Sequence, residues 1–366
     1  MTVELWGEFA FHWIYASCSM SGSRGVSDKP QGQDWEKMSW IKLGLIFESP
    51  QDLSWMCSHS AVPCALHLHA DVYRVYFTGR DLLNRAHVGW FEMDLQNPRS
   101  TLAVSRDAVL APGPLGSFDE HGAMTSWLVP DRERLLLYYT GWARGHSVPF
   151  VNSIGLAVST DGGLTFSKIS EGPILCRSRV DPYFVANPCV LKEADGWKMW
   201  YLSCVRWQLE EGKPKHYYHL RFARSSDGID WQREGKVCID FASPSEYAIS
   251  RPCVLKENGI YRMWYSYRGD RYRIGYAESL DGTRWRRLDH EAGIDVSTLG
   301  WDAEMVEYAF VFRHRTRYYM LYNGNDYGRT GIGLAVKDIG KGAVMFPPDA
   351  RIAMENQGDN GPPRSV

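Results

Sequence analysis

Residues 251–288 read RPCVLKENGIYRMWYSYRGDRYRIGYAESLDGTRWRRL, and this stretch decides the fold. Apolar and polar residues alternate in three short runs, and Asn, Gly and Asp separate these runs. A period of two with such boundaries predicts three strands joined by tight turns, and a fourth strand is expected to start near Trp285. The stretch therefore predicts a small antiparallel sheet.

The same pattern recurs along the chain. Further copies begin near residues 63, 125, 187 and 308. The copy NPCVLKEADGWKMWYLS (187–203), which precedes residues 251–288, is similar to them in sequence. Five copies of roughly 60 residues, each with four short strands, are typical of propeller blades. The last copy lacks a fourth strand, and SWIKLGLIFES (39–49) has the missing pattern. We expect this segment to complete the fifth blade and close the ring, because closure removes two free sheet edges.

The predicted fold is therefore all-β: a five-bladed β-propeller of four-stranded antiparallel blades, formed by residues 35–345 as one domain. Residues 1–34 lie outside the repeat and are expected to be a disordered or non-native extension. Residues 346–366 are expected to be a C-terminal tail.

Composition narrows the class of partner. A net charge of −2 does not favour binding to nucleic acid or to a membrane surface. The eight cysteines contain no CxxC pair, and Cys189 and Cys253 fall at the same repeat position in apolar strands. We expect buried, reduced thiols and a cytoplasmic location.

Acidic residues recur just before the first strand of several copies. Counting back 19 residues from the second-strand positions Tyr138, Trp200 and Leu321 gives three aspartates, and counting back 18 from Tyr138 and Trp264 gives two glutamates. With a further glutamate in the last copy, the set is Asp119, Glu120, Asp181, Glu246, Asp302 and Glu304. Acids that surround one channel mouth would repel one another and have raised pKa values, which is typical of a functional site.

The alternative is that these acids are ordinary turn residues before strands. A turn role is clearer for the aspartates of the STDGG, SSDGI and SLDGT segments, because Asp-Gly suits a hairpin turn. Those three residues, which we predict to be structural, are Asp161, Asp227 and Asp281.

The loops after the second strands are rich in Trp, Tyr, Arg, Asn and His. Flat rings stack on the apolar faces of sugars while polar groups bind hydroxyls, so these loops favour a polyol pocket. Incidental aromatics in solvated loops are the alternative. The predicted substrate-binding residues are Asp302, Arg251, His121, Trp142, Trp207, Tyr267 and Asn325.

The repeat length, the MWYS-type second strands and the YAESLDGTRW-type hairpins resemble the five-bladed propeller glycosidases of glycoside hydrolase families 43, 62, 32 and 68. The resemblance covers residues 35–345. It implies a base or nucleophile in the first blade, a supporting Asp in the second and a Glu acid in the third. This chain has Asp119 and Glu120 in the second blade, but Asp181 in the third and only Cys57, Ser58 and His59 in the first.

Three functions remain open. The first is a glycoside hydrolase that uses carboxylates as acid and base, with Glu120, Glu246 and Glu304 in these roles and Asp119 and Asp181 in support. Arg251 makes an anionic sugar plausible for this enzyme. The second is a carbohydrate- or nucleotide-sugar-binding propeller without hydrolysis, and the third is a protein-interaction propeller.

No cofactor is predicted, although acids around an axis could hold Ca²⁺ through oxygen ligands. His67 and His69 in LHLHA are expected to be strand residues rather than zinc ligands. The sequence does not predict the sugar, the linkage or the oligomeric state.

Overall fold

The computed structural model describes residues 39–339. The predicted segments 1–34 and 346–366 lie outside these residues. In the described part of the chain, twenty β-strands account for nearly all regular structure, with one short 3₁₀ turn at Asp289–Glu291 and one helical turn at Asn325–Gly328. The all-β prediction is confirmed.

The strands of the described chain form one four-stranded sheet and two eight-stranded sheets. Each eight-stranded sheet consists of two antiparallel groups joined by one parallel bridge, Ala86–Gly122 or Tyr218–Ala248, and the groups are called units I to V here, with strands numbered along the chain. Unit I contains β2 (Ser58–His69), β3 (Val72–Arg80), β4 (Ala86–Asp94) and β5 (Thr101–Val104). Unit II contains β6 (Gly122–Asp131), β7 (Arg134–Ala143), β8 (Val151–Ser159) and β9 (Ser167–Lys168). Unit III contains β10 (Val185–Glu193), β11 (Gly196–Glu210), β12 (Lys213–Ser225) and β13 (Gln232–Ile239).

Unit IV contains β14 (Ala248–Glu257), β15 (Ile260–Arg268), β16 (Tyr272–Ser279) and β17 (Arg286–Arg287). Unit V contains β18 (Glu307–His314), β19 (Arg317–Asn323), β20 (Ile332–Asp338) and β1 (Ile41–Phe47). Strand β1 runs antiparallel to β20, with Ile41 opposite Val336 and Phe47 opposite Ile332. The prediction that an N-terminal strand supplies the missing fourth strand of the last copy is therefore confirmed.

Hydrogen bonds link the second strand of one unit to the first strand of the next. Hydroxyl oxygens of Thr78, Thr140 and Ser266 accept the backbone N–H groups of Thr125, Asn187 and Tyr308 at 2.8–3.0 Å. The amide oxygen of Asn323 in unit V accepts the N–H of Val62 in unit I at 2.9 Å. The series of contacts thus returns from the last unit to the first.

The receiving positions are bulges in the first strands. The φ values at these bulges lie between 47° and 56°, at Val62, Asn187, Arg251 and Tyr308. Non-glycine residues rarely adopt such values, so the bond from the neighbouring unit compensates a local cost.

The hairpin aspartates have the predicted structural role. Asp281 accepts the backbone N–H groups of Thr283 and Arg284 at 2.7 and 2.8 Å, and Asp161 and Asp227 make the same type of contact. Each turn glycine carbonyl then accepts a bond from a second-strand ring of the preceding unit, as Trp200 Nε1 does to Gly282 at 2.7 Å. The described cysteines are all unpaired thiols, and Cys64, Cys189 and Cys253 are fully buried, as predicted.

Candidate functional site

The three aspartates that precede first strands do not face one another across a channel mouth. Each is at most 2% exposed and lies inside its own unit. Asp119 accepts bonds from Tyr139 (3.0 Å) and Ser117 (2.9 Å) and pairs with Lys168 at 2.6 Å. The expected ring of mutually repelling acids is therefore not present, since a cation from the same sheet neutralises the carboxylate.

Asp181 and Asp302 follow the same arrangement. Asp302 pairs with Lys42 of β1 at 2.7 Å and accepts the hydroxyl of Tyr322 at 3.0 Å. Asp181 accepts bonds from Tyr201 and Ser203 and pairs with two guanidinium groups, those of Arg221 and Arg233. In each of these units, hydrogen bonds and ion pairs of the aspartate thus join the segment before the first strand to the second strand and to an outer strand. We call this arrangement the aspartate tie and assign it a structural role.

The predicted acid–base glutamates are also engaged. Glu246 accepts two bonds from the Arg287 guanidinium and one from the N–H of Ala242. Glu120 accepts the N–H of Gly116 at 2.8 Å and lies 3.4 Å from His121 Nδ1.

The third glutamate, Glu304, is 57% exposed and pairs with Arg271 at 3.4 Å. Each of the three predicted acid–base glutamates is thus engaged with a partner of its own, which is His121, Arg287 or Arg271.

Arg251 is fully buried, although it was predicted to bind substrate. Its guanidinium donates to the carbonyl oxygens of Pro63 in unit I and Ser126 in unit II. The side chain therefore joins three units through their backbones. Because both terminal nitrogens of this guanidinium already donate to backbone carbonyl oxygens, the geometry indicates a structural role and corrects the expected substrate-binding role.

The other predicted binding residues lie at separate places. The ring centroids of Trp142 and His121 are 5.7 Å apart. The guanidinium carbon of Arg80 lies 6.0 Å from the centre of the Trp142 ring. Tyr267 lies below Arg287 at 5.5 Å, within the ion-pair network of Glu246. Asn325 accepts the N–H groups of Glu304 and Met305, so it holds a loop.

A carboxyl group that the repeat count missed is more unusual. Glu307 begins β18, is 0% exposed, and has no hydrogen-bond partner on either Oε1 or Oε2. Burial raises the pKa of Glu307 well above its ordinary value, the charge of Arg268 and a weak contact with the Tyr308 hydroxyl oppose this rise, and the Asp326 charge adds to it. Burial therefore favours the protonated, neutral form of Glu307 over its carboxylate.

Arg268, Tyr308 and Tyr272 interact with this acid, and Tyr218 and Tyr327 contact Tyr272 in turn. We call Glu307, Tyr308, Tyr272, Tyr218, Tyr327 and Arg268 the Glu307 cluster. The Tyr218 and Tyr272 hydroxyls are 2.5 Å apart, and Arg268 donates to the Tyr327 hydroxyl at 2.5 Å. The Arg268 charge also lies 5.5 Å from the centre of the Tyr272 ring. Burial raises the pKa of Tyr218, Tyr272 and Tyr308, so these hydroxyls remain protonated donors.

The cluster extends towards unit I on one side. Arg80, at the end of β3, is close enough to interact with the Tyr308 ring hydroxyl, and burial lowers the pKa of this arginine. Burial and the charges of Arg80 and Arg329 lower the pKa of His59 to about 4. His59 is consequently a neutral imidazole at neutral pH.

Aromatic side chains extend the cluster towards unit III. His216 stacks on Tyr218 with ring centroids 4.8 Å apart, and Trp207 meets His216 edge-on at 5.5 Å. Arg268 lies 5.4 Å from the Tyr247 ring. Of the predicted binding residues, Trp207 therefore belongs to the neighbourhood of Glu307. Such a combination of flat rings and hydroxyl donors suits a polyol ligand.

The sequence does contain a signal for Glu307. It is the single charged residue in the run MVEYAFVF (305–312). An acid inside an apolar strand is either neutralised by a partner or kept neutral by burial. The count back from the second strand of each copy selected acids that precede the first strand. It therefore missed Glu307, which lies within the first strand of its unit.

A cavity of about 660 Å³ lies elsewhere, at the hairpin turn of unit IV, with Ile260, Leu280 and Trp285 in its lining. Its Asp281 is bound to backbone N–H groups, and the cavity contains no member of the Glu307 cluster. Arg284, Arg286 and Glu278 also line this cavity, but none of its carboxyl groups is buried without a hydrogen-bond partner, and we therefore place the candidate site at Glu307.

Among the described residues, no group of three or more His, Cys, Asp or Glu side chains has the geometry to hold a metal ion. His67 bonds to the carbonyl of Ala70 and lies against Tyr73, in line with its expected strand role. Within residues 39–339, no helix has the length and apolar character needed to cross a membrane.

Comparison with solved structures shows the class of fold. A "Glycoside hydrolase" matches with a TM-score of 0.65 and 19% identity, over 87% of this chain and 97% of that chain. A "thermostable family-43 glycoside hydrolase" matches with a TM-score of 0.57 and 16% identity, over 83% and 99% of the two chains. The resemblance to propeller glycosidases is confirmed at the level of the fold.

Sequence comparison gives the family. No family model matches the chain. Two Mycobacterium tuberculosis proteins, "Uncharacterized protein MT1551" and "Uncharacterized protein Rv1502", are each 40% identical over 299 residues, which is 82% of this chain and 99% of each relative. The chain belongs to the family of these two mycobacterial proteins.

Proposed function

We propose that the protein is a glycoside-processing enzyme whose proton donor is Glu307. The observation that supports this proposal is the complete burial of a carboxyl group with two unpartnered oxygens. Burial of this kind keeps a carboxylic acid protonated at neutral pH, as a general acid requires. The likeness of the fold to glycoside hydrolases adds support at the level of the superfamily.

The proposal includes a closed ring of five blades. The bonds from second strands to the next first strands pass through units I to II, II to III, IV to V and V to I. The first strands also contact one another in the cyclic order β2, β6, β10, β14, β18 and back to β2. A ring explains why Glu307 in unit V meets residues from units I, III and IV.

In the proposed reaction, Glu307 gives its proton to the glycosidic oxygen as the bond to the anomeric carbon breaks. Water then attacks that carbon, and a second carboxylate removes the proton from the water. We assign this second role to Asp326, an exposed residue whose charge already interacts with Glu307. Arg268 would stabilise the Glu307 carboxylate that remains after proton transfer.

Glu307→Gln tests the proton donor, because the amide keeps the shape and removes the acid. With a panel of 4-nitrophenyl glycosides, we expect kcat/KM to fall about 100-fold or more, the usual contribution of general acid–base catalysis. The fall should be larger for substrates with a sugar leaving group, since these need protonation more than 4-nitrophenolate does. Glu304→Gln should keep its activity, because Glu304 is exposed and paired with Arg271.

A well-folded Glu307→Gln variant with unchanged turnover would rule out this assignment. Loss of activity in Glu304→Gln instead would restore the assignment made from the repeat count. Circular dichroism and the melting temperature of each variant show whether it is folded.

Carbohydrate binding without hydrolysis is the second candidate. It is favoured by the ion pairs of Asp119, Asp181 and Asp302, which leave Glu307 as the buried carboxyl group without a partner in the described chain. This function predicts saturable binding of a saccharide and no product after long incubation with the same panel.

A further inference from the structure

Two guanidinium groups beside Glu307 lack a balancing carboxylate. Arg80 donates to the side-chain oxygen of Asn84 at 2.9 Å. Arg268 donates to the backbone carbonyl of Asp270 and to the hydroxyl of Tyr327. Within residues 39–339 neither forms an ion pair, whereas the nearby Arg271 and Arg273 pair with Glu304 and Asp295. Both unpaired groups are only half-buried, so a ligand can reach them.

Glu307 does not supply the missing charge. Glu307 is fully buried and its oxygens accept no bond from either arginine. A third cation, the exposed Arg329, interacts with His59 together with Arg80. His59 is neutral at neutral pH, and Asp326 is the one carboxylate that the electrostatics of Glu307 identify nearby. Asp270 adds a second carboxylate near Arg268, but among the described residues Arg80, Arg268 and Arg329 form no ion pair with either carboxylate.

Unpaired guanidinium groups in a partly desolvated site are expensive unless an anion joins them. The fixed fork of an arginine suits the paired oxygens of a carboxylate or a phosphate. Arg268 is also held in place by rings, since its charge lies 5.4, 5.5 and 5.8 Å from the centres of Tyr247, Tyr272 and Tyr327. An arginine positioned this firmly loses little freedom when it binds an oxyanion.

We propose that Arg80 and Arg268 form an oxyanion subsite beside Glu307, and that the ligand is a sugar that carries a carboxylate or a phosphate. The sugar part of this inference rests on the proposed function, but the anion part does not. The anionic group would bind the two guanidinium forks, and the ring would lie against the tyrosines of the Glu307 cluster. Arg251, from which an anionic sugar was first expected, has no part in this subsite because it is fully buried.

The test measures anion binding without turnover. Inorganic phosphate, acetate and chloride are titrated into the full chain at constant ionic strength, and binding is followed by calorimetry and by the melting temperature. We expect phosphate or acetate to bind saturably and chloride not to compete. Arg268→Met and Arg80→Gln should each weaken that binding at least 10-fold, and Arg268→Lys should weaken it less because the charge remains.

Arg271→Gln is the matched control, because it removes the same charge from the turn that follows Arg268, at a residue that is already paired with Glu304. It should leave anion binding unchanged. The absence of saturable binding by both phosphate and acetate would overturn the inference. So would equal weakening in Arg271→Gln and Arg268→Met, since this would indicate a general charge effect.

A second set of binding measurements identifies whether the bound oxyanion is a carboxylate or a phosphate of a sugar. Methyl glucuronide and glucose 1-phosphate are compared with methyl glucoside, and the anionic sugar that binds at least 10-fold more tightly than the neutral one defines the group. Equal affinity of all three sugars would overturn the assignment of the anion to a sugar. Glu307→Gln should bind phosphate and acetate as the native protein does, so failure of the hydrolysis proposal and failure of this subsite give different results.

Discussion

At the scale of single residues, two buried carboxyl groups show how environment separates structural from chemical roles. Asp181 accepts bonds from two hydroxyls and two guanidinium groups, so its charge is fully compensated. Glu307 is buried to the same extent, but neither of its oxygens has a hydrogen-bond partner in good geometry and no cation pairs with it in the described part of the chain. The first is a carboxylate that holds strands together, and the second is an acid that can release a proton.

The raised pKa of Glu307 predicts how stability depends on pH. The unfolded chain releases this proton above the ordinary value of 4.5, whereas the folded protein retains it. Unfolding therefore releases a proton above pH 4.5, and the free energy of unfolding falls as pH rises from there until Glu307 ionises in the folded state. Glu307→Gln lacks this proton and avoids the loss.

The melting temperature of Glu307→Gln, measured relative to the native protein, should thus increase from pH 4.5 to pH 8. Each kcal/mol of linked free energy corresponds to about 2–4 °C in a domain of this order of size. The low pKa values of His59 and His216 act in the opposite direction below pH 6.5, but both proteins contain them, so they cancel in the comparison. A difference in melting temperature that does not vary with pH would contradict the assigned protonation state.

At the scale of strands and turns, one tie recurs between the acid before a first strand and a tyrosine of the second strand. Tyr139, Tyr201 and Tyr322 each bond to the aspartate 20 positions earlier. In unit IV, Tyr265 bonds instead to Asp289, which Arg287 neutralises.

Unit I has no acid before its first strand, and the packing at this place gives a physical reason. Phe77 stands at the tyrosine position and packs on Phe47 at 5.0 Å and on Trp55 at 6.2 Å between ring centroids. A carboxylate there would have no hydroxyl donor and would be buried against apolar rings. The absence of an acid before the first strand of unit I is therefore a consequence of packing, and it carries no information about the reaction.

The tie predicts a large stability effect of Asp181→Asn. Removal of one partner from a buried ion pair leaves two guanidinium groups uncompensated and should lower the free energy of unfolding by about 3–5 kcal/mol. Glu234→Gln is the control, because the pair of Glu234 with Arg224 is 70% and 61% exposed and such pairs contribute about 1 kcal/mol or less. Urea unfolding measures both, and similar small losses would show that the tie is not structural.

At the scale of the whole molecule, the question is whether the units fold as one body. The hydrogen-bonded sheets leave two eight-stranded groups and one four-stranded group. Contacts between first strands, and the bonds of Asn323 to Val62 and Ser60, connect these groups. Side-chain packing and side-chain-to-backbone hydrogen bonds cross every boundary between units. We therefore expect the contacts between units to be as stable as the units themselves.

Urea unfolding should accordingly show one transition, with the same midpoint by tryptophan fluorescence and by circular dichroism. Asn323→Ala leaves buried backbone groups of unit I without partners and should lower the free energy of unfolding by about 1–3 kcal/mol while keeping one transition. Asn97→Ala, at an exposed turn, should have little effect. Two separated transitions, or an Asn323→Ala effect confined to one of them, would contradict the closed ring.

The sequence by itself determined the repeated four-stranded units, the assignment of β1 to unit V, the hairpin aspartates and the buried thiols. These features depend on patterns that are local or that repeat at a fixed period, such as the alternation in residues 251–288. The period also found Asp119, Asp181 and Asp302, but it could not tell a compensated carboxylate from a reactive one.

Only the tertiary structure decided which acids are compensated and which is free. The partner of Asp302 is Lys42, 260 positions away, and Arg251 reaches the carbonyl of Pro63, 188 positions away. The neutral state of Glu307 likewise arises from burial by distant strands rather than from its neighbours in the sequence. Protonation depends on the solvent and charges that surround a group in space, and the folded arrangement of the units determines those surroundings.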